Sequence, residues 1–158
     1  MRIPDDLLQR FAALDEACID ASSIIYMRKS GFFDRLCQAL QLSTVPAVAE
    51  EVGREADGIT LFRSADQTLT PDAQLVQCAY ERQLAVISED KQILLSAKRA
   101  CLPYYNALMM LNWLLFKGLI QQSHYHRYHA ALQTCARYSD AVWNYGEAVH
   151  QVCRMLSS

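Results

Sequence analysis

Four short strand candidates, mostly apolar, punctuate this sequence, and each is followed by a stretch long enough for a helix. They are Ala17-Cys18-Ile19, Leu42 to Val45, Ile59-Thr60-Leu61-Phe62 and Ala85-Val86-Ile87. Continuously apolar runs, unlike alternating ones, belong to strands covered on both faces. Strands that alternate with helices build a parallel sheet with helices packed on both sides. The expectation is a three-layer α/β/α sandwich. Its central parallel sheet holds four to five strands, the fifth being Tyr104-Tyr105, and extra helices stand at the C-terminus.

The helices have their own signals. Pro4 suits a first helical position, and Asp5 and Asp6 suit the positive end of the dipole, so 4–16 reads as a helix. Ser22 or Ser23 is a candidate cap for the next. Gly31 breaks that helix, and Phe32, Phe33, Leu36 and Leu40 mark another. Pro46 starts a helix that carries Glu50 and Glu51 and stops near Gly53. Thr70-Pro71-Asp72 is a strong start for a helix reaching about Gln83, with Leu75, Val76, Ala79 and Tyr80 expected inward. Lys91 to Ala100 and the apolar Ala107 to Phe116 follow, then helices over 123–138 and 140–156. The last shows a stripe of Val142, Tyr145, Val149, Val152 and Leu156.

With 158 residues, the chain fits one domain built on one core. No apolar run is long enough for a spanning helix, and the N-terminus lacks the apolar centre of a secretory signal. The expectation is a cytoplasmic protein with no membrane partner. The closest pair among six cysteines is 18 residues apart, so no CxxC metal or redox motif is present, and reduced thiols in apolar positions are expected. The net charge of −2 hides an asymmetry. Residues 1–90 hold 8 Lys+Arg and 15 Asp+Glu, whereas 91–158 hold 7 and 2. Halves of opposite sign suggest an acidic site beside a basic surface.

The acids fall in particular places. Asp20 ends the first strand, Asp90 follows the fourth, Asp72 opens the helix before the fourth, and Glu51 lies in the helix after the second. Ligand sites of open parallel sheets form outside the carboxyl ends of the strands. Crowded carboxylates repel, so such a cluster should hold a divalent cation, and hard oxygen ligands favour Mg²⁺ or Mn²⁺ over zinc. Each acid alone also has an ordinary structural role: Asp72 as a first-turn acid, Asp90 as a helix cap, Glu51 as a solvated helix residue. His126 and His129, spaced i, i+3, invite a metal reading, but no acid or cysteine near them in sequence completes a set. A solvated or nucleic-acid-facing helix is the preferred reading there.

The segment CIDASSIIYMRKSGFFDRL resembles the opening of a PIN domain, whose pattern is D-T-S-P-L-I-x-L-x-K-x-G-x-L-D-x-L after an apolar strand. Here the matching residues are Asp20, Ser22, Ile24, Ile25, Lys29, Gly31 and Asp34. VPAVAEEV resembles the second motif, placing its acid at Glu51 with Glu50 as the substitute. LTPDAQLVQCAYERQLAVISEDKQIL resembles the rest: Asp72 opens the long helix, and Asp90 before Lys91 matches the last acid of a T-D-D-[KR] motif, with Ser88 and Glu89 before it. The resemblance spans about 17–120 of a single domain over 1–158 and ends on Lys117-Gly118-Leu119-Ile120. It leaves 1–16 as an N-terminal helix and 121–158 as a helical extension.

The resemblance implies a metal-dependent endoribonuclease. Asp20, Glu51, Asp72 and Asp90 hold one or two Mg²⁺ or Mn²⁺ ions, and a metal-activated water attacks phosphorus in line. The products are a 5′-phosphate and a 3′-hydroxyl. Ser22, Ser88, Glu50 and Glu89 support the ligands from behind. Arg28, Lys29, Lys91, Lys98 and Arg99 guide the RNA backbone, and Tyr26, Tyr104 and Tyr105 are candidates to stack unpaired bases. Such a chain can be the toxin of a toxin–antitoxin pair, with an antitoxin and a second copy of itself as partners. The alternative is a PIN-like nucleic-acid-binding or regulatory protein that keeps the acids without turnover.

Overall fold

The computed structural model describes residues 3–156. Five strands, β1 (Glu16–Ile19), β2 (Gln41–Thr44), β3 (Thr60–Leu61), β4 (Ala85–Ile87) and β5 (Tyr104–Tyr105), form one sheet in the order β3-β2-β1-β4-β5, parallel throughout. The helices are α1 (Leu7–Ala13), α2 (Ala21–Ser30), α3 (Phe33–Ala39), α4 (Pro46–Val52), α5 (Pro71–Arg82), α6 (Lys91–Arg99), α7 (Ala107–Phe116), α8 (Gln122–Cys135) and α9 (Asp140–Leu156). The expected α/β/α sandwich is therefore present, with a five-stranded parallel sheet.

Right-handed crossovers decide which helix covers which face. The chain moves outward from β1 to β2 to β3 in one direction and from β4 to β5 in the other. Accordingly α5 packs with α6 against β1 and β4, while α2 gathers α3, α4, α7 and α8 on the opposite side. The middle strands β1 and β4 are buried at Ala17, Cys18, Ile19, Ala85, Val86 and Ile87, which accounts for their unbroken apolar runs.

α7 is apolar all round because it is buried all round: every residue from Ala107 to Leu115 is buried. The Trp113 indole N–H donates to the Phe11 carbonyl at 3.0 Å, which ties α1 onto this helix. α8 and α9 wrap the rest of it. The face of α9 differs from the expected stripe. Gly146, Val149, His150 and Cys153 are buried, whereas Leu156 is 58% exposed. The reason is Gly146, whose missing side chain lets α9 settle against Leu108 of α7. In α5, likewise, Gln74 and Cys78 turn inward and Tyr80 is 50% exposed. Among the described residues, no helix is long and apolar enough to cross a membrane.

Candidate active site

The switch point of the sheet lies between β1 and β4, where the chain leaves toward opposite faces, and such crevices are where open α/β sheets bind ligands. The two strands pair in parallel with Ile19 opposite Ile87, so the residues that follow emerge side by side. Asp20 is the first of these. Its backbone N–H donates to the Ile87 carbonyl at 2.9 Å, and the residue is only 7% exposed. Its Oδ2 accepts from the Ser88 hydroxyl at 3.0 Å and from the Ser22 hydroxyl at 3.2 Å. Thr44, at the end of β2, donates to the Ile19 carbonyl at 2.7 Å and steadies the same strand end.

Ser22 and Ser88 join the two strand ends rather than cap a helix. While each donates to Asp20, Ser22 Oγ accepts from the Glu89 N–H at 3.3 Å and Ser88 Oγ accepts from the Asp90 N–H at 3.0 Å. The two hydroxyls thus stitch the end of β1 to the end of β4. Neither Ser22 nor Ser23 is the residue at the N-cap of α2; that position is held by Asp20 itself.

The other acids approach from three helices. Asp72 stands in the first turn of α5, where Thr70 caps the helix by accepting from the Ala73 N–H at 3.2 Å. Its carboxyl is held above the usual range, first by partial burial and then by the charges of Asp20, Asp90 and Glu51. Those three causes are the other members of the expected set, so Asp72 feels all of them at once. Asp90 caps α6, its Oδ1 accepting from the Gln92 N–H at 2.7 Å and the Ile93 N–H at 3.3 Å. Glu51 and Glu50 are exposed in α4.

Glu89 does something the sequence did not show. Its buried carboxylate accepts from the Ser23 and Tyr138 hydroxyls and from the Ala107 N–H at the start of α7, and lies within the field of Asp20. Burial raises its carboxyl well above the usual range, and those hydrogen bonds pull it back in part. Tyr138, in the link between α8 and α9, is 49 residues away in sequence, and no local signal pairs it with Glu89.

The basic residues divide. Lys91 starts α6 beside Asp90. Lys98 and Arg99 end the same helix, about 12 Å along its axis from Asp90. Arg28 and Lys29 likewise end α2, about 12 Å beyond Asp20. These four stand about two turns from Asp20 and Asp90, because both helices run away from the carboxyl edge. Arg28 is also engaged: it pairs with Asp34 at 2.7 Å and Glu55 at 3.3 Å and lies 4.3 Å over the Phe33 ring. Tyr105 is buried in the sheet, Tyr104 is 39% exposed, and Tyr26 packs edge-on against Tyr138.

The histidines of α8 are not a plain solvated face. Tyr125 stacks on His150 of α9 with centroids 4.0 Å apart, and His129 meets Trp143 at 5.3 Å. His124 accepts from the Gln121 N–H at the helix start.

Every candidate donor around the switch point is a carboxylate oxygen, which is the chemistry of magnesium and manganese. Among the described residues, no three His, Cys, Asp or Glu side chains form a group able to hold one ion. Magnesium keeps several waters and needs only one or two direct carboxylates, so a looser ring of acids still fits it. No family model, curated protein or solved structure matches this chain.

Proposed function

We propose that this chain is a divalent-metal-dependent endoribonuclease of the PIN type. The observation that carries the reading is the raised carboxyl of Asp72, with Asp20, Asp90 and Glu51 all among its causes. The charges of acids from three other segments thus reach Asp72, and one of them, Asp20, stands at the switch point of the parallel sheet, where ligands bind. A structural cap or a solvated helix residue needs no such company.

Asp20 and Asp72 are the residues best placed to hold Mg²⁺ or Mn²⁺, with Glu51 and Asp90 completing the ring. When bound, the cation supplies a water acidic enough to attack a phosphodiester near neutral pH. The chain's own contribution is orientation. Ser22 and Ser88 fix one oxygen of Asp20 by hydrogen bonds. Lys91, which follows Asp90 at the start of α6, is a cation that would meet an RNA phosphate. The acidic first half suits a basic partner, as an antitoxin segment would be, and a second copy of the chain is the other partner considered.

Incubating RNA with the protein and Mn²⁺ should give cleavage that EDTA stops and that Asp20→Asn lowers by about a hundredfold or more. The same cation should raise the melting temperature of the wild type and do so less for Asp20→Asn. The alternative is a PIN-like binding protein that keeps the acids without turnover. Cation-dependent stabilisation with RNA binding but no cleavage would select it.

A further inference from the structure

A cavity of about 330 Å³ lies between α1, β5, α6, α7 and the start of α9. Leu7 of α1, Leu94 of α6, Met109 of α7 and Val142 of α9 give it apolar walls. Tyr105 of β5, which pairs with Ile87 in the sheet, lines it from the strand side. The first and last helices lie outside the stretch that resembles a PIN domain, so the added helices are what close this space. The volume is at the small end of ligand pockets, which run from about 300 to 1,000 Å³. It leaves room for one substituted ring. Apolar walls with a few polar groups that fix orientation are the general make-up of small-molecule sites.

The polar groups say what kind of molecule fits. Tyr105 is 4% exposed, and its hydroxyl has no hydrogen-bond partner among the described residues. Arg10 and Tyr145 also line the cavity, and both are among the groups whose charges reach that hydroxyl, which sets it against this space. Burial pushes the phenol up to about 12, so it keeps its proton at neutral pH and has a hydrogen to give. A buried donor without an acceptor costs free energy until one reaches it. Arg10 is the one charged side chain among the described residues that line the cavity. Asp6 already matches it, its Oδ2 accepting from Nε and pairing with Nη2, each at 2.8 Å. The lining therefore favours an uncharged occupant. We propose that this cavity is a binding site for a small uncharged apolar molecule, the size of one substituted ring, that brings a hydrogen-bond acceptor to the Tyr105 hydroxyl. The site is separate from the acids and does not rest on the nuclease reading.

Acetophenone, ethylbenzene and benzoate probe it: a ring with a neutral acceptor, one of similar shape without an acceptor, and one with a charge. Titrated into ¹³C-methyl-labelled full-length protein, acetophenone should move the methyl resonances of Leu7, Leu94, Met109 and Val142 and should bind more tightly than benzoate. The ratio of acetophenone to ethylbenzene affinity should fall about fivefold in Tyr105→Phe, the value of roughly one hydrogen bond. Taking the change in that ratio cancels the difference in hydrophobicity between the two probes. Without ligand, Tyr105→Phe should melt no lower than wild type, because the hydroxyl it removes is unpaired. No binding of acetophenone, shifts that map elsewhere, an unchanged ratio in Tyr105→Phe, or tightest binding by benzoate each overturns the proposal. A melting temperature lowered by several degrees in Tyr105→Phe overturns it too, since the protein itself would then be pairing the hydroxyl.

Discussion

Asp72 and Glu89 are both carboxyls raised first by burial, with different consequences. Asp72 is exposed, and the charges of its fellow acids add to its burial in raising it. A raised folded-state value means that the charged form is the disfavoured one, so its contribution to stability is full at low pH and lost as pH rises through the folded value. Asp72→Asn should therefore raise the melting temperature of metal-free protein slightly at pH 7, and the gain should vanish below about pH 3, where Asp72 is protonated in both states. Thermal unfolding at the two pH values checks the sign. Glu89 is held by Tyr138, Ser23 and the Ala107 N–H. Tyr138→Phe removes a donor that favours the carboxylate, at a cost of about 1–3 kcal/mol. Because losing that donor lifts Glu89 further, the cost should be larger at pH 8 than at pH 4, and urea unfolding across that range measures it. A loss equal at both would mean that Tyr138 acts by packing alone.

Among the elements, α7 and α9 make the tightest fit. A Cβ at Gly146 would overlap Leu108 Cδ2 and stand 2.8 Å from its Cγ. The Asn112 amide donates to the Gly146 carbonyl at 3.1 Å within the same buried seam. In most helices glycine to alanine gains about 1 kcal/mol. Here Gly146→Ala should instead destabilise by about 1–3 kcal/mol, the usual cost of overpacking. Leu108→Ala alone should cost about 2–5 kcal/mol through the cavity it leaves. The double variant should cost clearly less than the sum of the two, because the added methyl then enters the space Leu108 vacated. Chemical denaturation of all three variants decides; strict additivity would show that the two residues do not meet.

Across the whole molecule, the C-terminal helices are part of the domain and not an appendage. They cover α7, and through Tyr138 they hold the residue that follows Ser88 at the switch point. Removing 121–158 uncovers an apolar helix on the side that α8 and α9 occupy and leaves Glu89 without Tyr138. The truncated chain should aggregate or lose its near-ultraviolet circular dichroism, with light scattering as the second measure. A soluble, monodisperse truncation with an unchanged spectrum would show that the sheet and α1–α7 are self-sufficient.

What the sequence determined was local and periodic. Unbroken apolar runs identified β1 and β4, because a strand covered on both faces has no polar side to display. Thr70-Pro71-Asp72 located the start of α5, because cap and proline chemistry are properties of adjacent residues. Asp20 and Asp90 could be placed at strand ends for the same reason. The tertiary structure alone decided the rest. That β1 and β4 are neighbours, and hence that Asp20 meets Ser88, follows from strand order, which no single segment encodes. The face of α9 was set by the fit of Gly146 to Leu108, and the partner of Glu89 by a tyrosine 49 residues away. Lys98 and Arg99 follow Asp90 closely in sequence yet lie at the far end of α6, because a helix carries its residues steadily away from the edge where it begins.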